Sequence, residues 1–290
     1  MGAPQLSEPA LKVAVTGASG FIGRHVLMEL ANRSINVIAA TRSASHLSEF
    51  ADAVNVVELD IVQADTKSYE RLGKPDVLIH LAWDGLPNYR SLQHFEVELP
   101  NQYRFLKTLV EAGLPSLIVT GTCLEYGMQS GVLNETLKPE PSTPYGYAKD
   151  ALRQQLEFLR KAKPFNLTWA RLFYMYGDGQ PSSSLLPQLK EAVFRGNEQF
   201  NMSGGEQLRD YLPVSEVARL IVELALQRGD HAIVNVCAGE PVSVRDLVEG
   251  WIKQNDWKIA LNLGHYEYAD YEPMAFWGDR RHLDDILSKT

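Results

Sequence analysis

Thr16-Gly-Ala-Ser-Gly-Phe-Ile-Gly23 follows a short β-rich run, Lys12–Thr16, and opens a helical stretch, Phe21–Asn32. Gly17, Gly20 and Gly23 stand three apart. Backbone without Cβ lets a charged ligand approach closely, and the helix N-terminus offers free N–H groups and partial positive charge. With a strand before and a helix after, this spacing reads as the pyrophosphate seat of a dinucleotide, with Ser19, Phe21 and Ile22 completing the turn. A tight strand–helix turn that binds nothing is the alternative.

The surrounding sequence supports the first reading. Apolar runs follow at Asn36–Thr41, Val54–Glu58, Val77–Leu81, Ser116–Thr120 and Leu167–Leu172, with helical segments at Leu99–Ala112 and Tyr145–Lys161. Near-continuous apolar runs are what strands buried on both faces look like. Their alternation with helices predicts an α/β fold, a Rossmann-like doubly wound parallel sheet. After Leu172 the texture changes, with glycine and proline punctuation around a short helix, Leu185–Arg195. Val214–Gln227 and Ile233–Val236 then read as one more helix and strand of the sheet. The expected division is a dinucleotide domain over 10–172 and 213–238, and a smaller C-terminal α/β substrate-binding lobe over 173–212 and 239–290.

Composition removes several functions. Twenty-eight basic against 36 acidic residues give a net charge of −8, with no basic patch for nucleic acid or an anionic membrane. No apolar stretch approaches the roughly 20 residues that cross a bilayer. Met1 to Ala10 shows no signal-peptide pattern, and Leu6 breaks a myristoylation motif. Two cysteines, Cys123 and Cys237, make no disulfide framework, and the seven scattered histidines predict no metal site. The expectation is a cytoplasmic protein.

The end of the second strand bears on the choice of nicotinamide cofactor. An NAD site usually carries an acid there for the ribose hydroxyls. Here Thr41 is followed by Arg42, a planar donor suited to the 2′-phosphate of NADP, so NADP is expected and NAD is the alternative. Arg42 equally reads as a solvated loop arginine, and Arg24 as a helper or a surface residue. Asp60 and Ile61 follow the third strand, where Asp60 would face the adenine or simply cap a helix. Tyr145 and Lys149 sit at i and i+4 on one helix face. A nearby ammonium lowers a phenol's pKa, which would make Tyr145 a general acid or base. Tyr147 competes but lacks a lysine four residues on.

These motifs resemble the extended short-chain dehydrogenase/reductase family, in particular its nucleotide-sugar epimerases, dehydratases and 4-ketoreductases. The likeness extends through His80-Leu-Ala-Trp83, Thr120-Gly-Thr-Cys-Leu-Glu-Tyr-Gly127, Arg171-Leu-Phe-Tyr-Met-Tyr-Gly177, Gln207-Leu-Arg-Asp-Tyr-Leu-Pro-Val214 and Asn235-Val-Cys-Ala-Gly239. The resemblance implies that Thr122 holds the reacting oxygen, Tyr145 donates the proton, and Lys149 holds the nicotinamide ribose. It implies that His80, Leu81, Ala82 and Trp83 line the cofactor, and that Arg209 contacts the substrate's diphosphate or ribose; a surface pair with Asp210 is the plain alternative. It also implies a homodimer through a four-helix bundle, with Phe105, Leu109, Leu152, Leu156 and Leu159 as its apolar residues unless they face the sheet.

Three departures bear on the reaction. Cys123-Leu124 replaces the Asp-Glu of the dehydratases, with Glu125 one place late, so dehydration lacks its acid–base pair. Tyr174 replaces an asparagine that contacts diphosphate. Trp83 replaces a small residue and leads into Asp84–Tyr89, as a sugar contact or as a core tryptophan. The aromatics Tyr266, Tyr268, Tyr271, Phe276 and Trp277 form a lid or the lobe's core. The function expected is NADP-dependent reduction of a nucleotide-linked 4-keto-6-deoxy sugar. The alternatives are an epimerase that retains its NAD(P), and a nucleotide-binding protein without turnover.

Overall fold

The computed structural model describes residues 10–289; the reading of the first nine residues lies outside them. The first half supplies β1 (Lys12–Thr16), β2 (Asn36–Thr41), β3 (Asn55–Glu58), β4 (Val77–His80) and β5 (Ser116–Thr122). A short β6 (Gly131–Leu133) precedes β7 (Asn166–Leu172), and β8 (Tyr174–Tyr176), β9 (Gln199–Asn201) and β10 (Leu208–Pro213) precede β11 (Ala232–Val236). The chain ends with β12 (Pro241–Ser243), β13 (Ala260–Asn262) and β14 (Phe276–Gly278). Seven strands form one parallel sheet in the order β11-β7-β5-β4-β1-β2-β3. The remaining strands form three small sheets: β12-β10-β8, β13-β9 and β14-β6.

Alternation along the strands builds two cores. Val13 and Val15 face one side, with α1 (Phe21–Ala31) and α6 (Val214–Gln227). Ala14, Leu78 and Leu117 face the other, under α3 (Leu99–Glu111) and α4 (Pro144–Ala162). The short α2 (Ser68–Arg71) precedes β4, α5 (Leu185–Phe194) and α7 (Val244–Gln254) cover the small lobe, and α8 (Arg281–Leu287) closes the chain. Among the described residues no helix is long and apolar enough to cross a membrane.

Two differences from the sequence reading have physical causes. A π turn, His94–Glu98, runs directly into α3. Pro100 cannot donate a backbone hydrogen bond, and the ladder widens just before it. The five residues nominated for a dimer face, Phe105, Leu109, Leu152, Leu156 and Leu159, instead pack in the second core. Each stabilises the fold by roughly 1.5–3 kcal/mol there and is not available to a partner.

Candidate active site

The glycine turn is shaped for close approach. Gly17 has φ +69°, and a Cβ there would lie 2.7 Å from the Ala82 nitrogen and 2.8 Å from the Leu81 carbonyl carbon. A Cβ on Gly23 would lie 2.2 Å from the Gly17 oxygen. No side chain caps α1 and no carboxylate stands in its first turn, so its leading N–H groups suit an external anion. The Thr41 hydroxyl lies 3.3 Å from Ser19 Oγ and joins the turn to β2. Phe21 packs edge-on against His25, and Ile22 packs on the first core. This cradle fits a dinucleotide pyrophosphate.

Around the cradle, several side chains are already engaged. Arg42 donates to Asp84 at 2.9 Å, both of them largely exposed. Because β1 lies between β2 and β4, this pair spans the C-terminal end of β1. Arg24 binds the backbone oxygens of Ser19 and His46 and pairs with Glu49. Asp60 caps the turn Ile61–Gln63, accepting from the Val62 nitrogen at 3.0 Å, and Ile61 packs on the second core. His80 does not line the cradle. It is enclosed, accepts from the Thr16 hydroxyl at Nδ1 (2.7 Å), and donates from Nε2 to Gln102 Oε1 (2.8 Å). Burial, aided by the nearby Lys149 charge, lowers its pKa to about 3, so it remains a neutral brace between strands and helix.

Thr122 ends β5, and its hydroxyl accepts from the Leu124 nitrogen at 3.3 Å. Its own backbone N–H donates to Glu125 Oε1 at 2.8 Å. Glu125 is fully buried and also binds Arg171 Nε (2.7 Å) and Trp169 Nε1 (2.9 Å). Its oxygens are thus occupied by the scaffold, which leaves it no place in a dehydration. Burial pushes the Cys123 thiol far above its ordinary range, so it is no nucleophile.

Tyr145 enters through the first turn of α4, where Thr143 caps Gly146 N–H at 3.1 Å and Pro144 pre-sets the backbone. Its ring is buried among Trp83, Tyr89 and His94, with centroids 6.0, 5.5 and 5.1 Å away. His94 donates from Nε2 to the Asn88 oxygen and accepts from Trp83 Nε1 at 3.1 Å. Tyr147, by contrast, is exposed. Burial, reinforced by Tyr89, Glu125 and Cys123, pushes the Tyr145 phenol far above its ordinary pKa. This reverses the shift expected from Lys149. The lysine donates to the Thr120 oxygen at 3.0 Å and lies 4.0 Å from the Trp83 ring centroid and 5.8 Å from that of Tyr145, where burial of the phenol outweighs its charge. Tyr145 therefore keeps its proton across neutral pH, as a proton donor requires.

Burial lowers Lys149 to about 7, partly opposed by Glu125 and Glu98. Its ordinary value is 10.5, so between pH 7 and 10.5 the unfolded chain binds more protons than the folded one. Stability therefore rises with pH across that window, and below it the full penalty stands. Cofactor-free Lys149→Met should be more stable than the parent at pH 6 by roughly 2–4 kcal/mol, with the gap closing toward pH 10. Urea unfolding at three pH values reads this out; a gap independent of pH would refute the assignment.

A cavity of about 320 Å³ is lined by Tyr174, Arg209, Tyr211, Tyr268, Tyr271 and Glu272, among others. Arg209 pairs with Glu272 at 2.9 Å rather than with Asp210, and its guanidinium lies 4.5 Å from the Phe276 ring centroid. Tyr174 donates to the same carboxylate. Asp210 instead accepts the backbone N–H groups of Ala238 (2.6 Å), Gly239 (2.9 Å) and Gly278 (3.2 Å). The C-terminal aromatics divide: Phe276 is core, whereas Tyr266, Tyr268 and Tyr271 line the cavity. Among the described residues no group of three or more His, Cys, Asp or Glu is placed to hold a metal ion.

A model of the NAD dependent epimerase/dehydratase family matches residues 13–237, which takes in the glycine turn, Thr122, Tyr145 and Lys149. The chain belongs to that family. Among relatives of this epimerase/dehydratase chain is dTDP-6-deoxy-L-talose 4-dehydrogenase (NAD(+)) of Aggregatibacter actinomycetemcomitans. It is 30% identical, over 92% of this chain and 99% of its own. GDP-6-deoxy-D-talose 4-dehydrogenase of the same organism is 26% identical, over 82% of this chain and 78% of its own. The structure of MoeE5 with UDP-glucuronic acid and NAD superposes with a TM-score of 0.80 at 28% identity, covering 96% of this chain and 92% of MoeE5. Trp83, Tyr89 and His94 together enclose Tyr145. Asp84–Tyr89 drew notice in the sequence; His94 gave no signal, because only the fold brings it to Tyr145.

Proposed function

We propose that the protein reduces a nucleotide-linked 4-keto-6-deoxy sugar with NAD(P)H in the cytoplasm. The observation that carries this is Tyr145, enclosed by aromatic rings and held protonated next to the Thr122–Glu125 turn. Thr122 would hold the carbonyl oxygen while Tyr145 protonates it. Gly17, Ser19, Gly20 and Gly23 would seat the pyrophosphate, and Leu81, Ala82 and Lys149 the nicotinamide side. When bound, the reduced cofactor supplies the hydride.

The 6-deoxy-talose 4-dehydrogenase relatives support the reading, since oxidation at C4 is the reverse of a 4-keto reduction. Arg42 supports NADPH; its pairing with Asp84, and the NAD named for both the dTDP-sugar relative and MoeE5, support NADH. A homodimer through α3 and α4 belongs to the same proposal, now on outward residues such as Phe158, which is 67% exposed.

The test is oxidation of NADPH and NADH over a panel of nucleotide-linked 4-keto-6-deoxy sugars. Substrate-dependent loss of reduced cofactor is the expected result. A new 4-epimer without net cofactor loss would make the protein an epimerase, and binding without either product would make it a nucleotide-binding protein.

A further inference from the structure

The cavity lined by Arg209 and Tyr174 contains a carboxylate where an incoming anion would be expected to bind. Arg209 is buried and Glu272 only slightly exposed, with side chains 6% and 10% exposed. The guanidinium is fixed from behind: Nη1 donates to the Leu208 oxygen (2.9 Å) and the Met274 oxygen (3.2 Å). Its Nε–Nη2 edge is left to face Glu272 Oε2, at 3.2 and 2.9 Å. The other carboxylate oxygen, Oε1, accepts from the Tyr174 hydroxyl. Burial beside Glu272 pushes that phenol far above its ordinary pKa, so it remains a donor. Glu272 thus rests in a nest made only of donors: one guanidinium edge and a phenol. The same set matches a phosphate, which takes a guanidinium edge in bidentate fashion.

The carboxylate also comes from a segment that can exchange it. Glu272 lies on the 263–275 strap between β13 and β14, which has no regular structure beyond one isolated bridge at Ala275. The strap is anchored near both ends by backbone hydrogen bonds: His265 N–H to the Met202 oxygen (2.9 Å), Leu208 N–H to the Met274 oxygen (2.8 Å) and Gly131 N–H to the Ala275 oxygen (2.9 Å). Between them it is tied by exposed contacts: Tyr268 to Glu206, Asp270 to Arg90, and the Tyr271 oxygen to Ser142. A buried ion pair adds little net stability over an apolar pair of equal volume. Stability alone is therefore a poor reason for placing a carboxylate in a cavity wall.

We infer that Glu272 is a specificity-determining residue, an internal anion that holds Arg209 and Tyr174 until a substrate diphosphate displaces it. This rests on the nucleotide-sugar reading. It adds that a neutral sugar is rejected, because it cannot replace the carboxylate at Arg209. On displacement Glu272 moves to solvent and recovers its hydration, so the exchange leaves no charge buried alone.

Inorganic pyrophosphate and UDP are the probes, with binding followed by calorimetry and thermal unfolding in the parent protein and in Glu272→Gln. Pyrophosphate should bind Glu272→Gln at least about tenfold more tightly than the parent, and raise its Tm by more. The KM for the nucleotide sugar should fall by a similar factor with kcat nearly unchanged. Arg209→Gln in the Glu272→Gln background should abolish the gain. Equal or weaker pyrophosphate binding by Glu272→Gln, with UDP still bound by the parent, would overturn the inference and leave the nucleotide-sugar reading standing. Failure of both proteins to bind pyrophosphate, UDP, dTDP or GDP would overturn both. Should Glu272→Gln not fold, Glu272→Asp takes its place: tighter pyrophosphate binding than the parent supports the inference, and equal or weaker binding refutes it.

Discussion

Tyr145→Phe is expected to lower kcat by roughly 10²–10⁴-fold while leaving the affinity for reduced cofactor within about threefold. The change removes one oxygen and little else. The ring keeps its contacts with Trp83, Tyr89 and His94, and the capped first turn of α4 is untouched. What disappears is a proton that burial has made hard to lose. Steady-state rates and a cofactor titration on the same preparation separate the two quantities. Retention of more than a tenth of the parent rate would remove Tyr145 from its role, and a matching loss of cofactor affinity would make it a structural residue.

Glu125→Gln should cost about 3–5 kcal/mol of stability and lower Tm by on the order of ten degrees. Neither Glu125 nor Arg171 has any exposed side-chain surface. The guanidinium lies 4.4 Å from the Tyr126 ring centroid, and its two terminal nitrogens have no hydrogen-bond partner. The glutamate therefore supplies most of the compensation for that buried charge, and a neutral amide cannot. The carboxylate also receives the Thr122 N–H, so the turn that presents Thr122 should loosen and kcat fall as well. Denaturant unfolding measures the first effect. Replacing both partners with methionine should recover much of the stability, because no charge is then left buried. A Glu125→Gln protein as stable as the parent would show that the ion pair contributes nothing.

The seven-stranded sheet was readable from sequence because each of its strands carries a local signal: an apolar run, then a glycine, a proline or a helical period. Most of those segments match to within a residue or two, and β5 extends two residues beyond Thr120 to Thr122. The short strands β6, β8, β9, β10, β12, β13 and β14 have three to six residues and pair across long intervals. Nothing in so few residues distinguishes them from loop. At the site, the glycine turn and the Tyr145/Lys149 pair are short-range patterns, and the fold places them at one end of the sheet. Lys149's hydrogen bond, His80's enclosure, and the Glu125–Arg171 and Arg209–Glu272 pairs are meetings of residues 22 to 64 positions apart. Such meetings are fixed by packing, and no spacing rule anticipates them.

Asp210 carries a mechanical consequence. From within β10, its one carboxylate draws the turn after β11 and the end of β14 to a single point through three backbone amides, and the Ala238 bond ties the small lobe to the edge strand of the main sheet. Opening the lobe away from β11 would have to break the bond to the Ala238 N–H. Separation of lobe and sheet is thereby resisted at the one point where β10, the turn after β11 and the end of β14 converge.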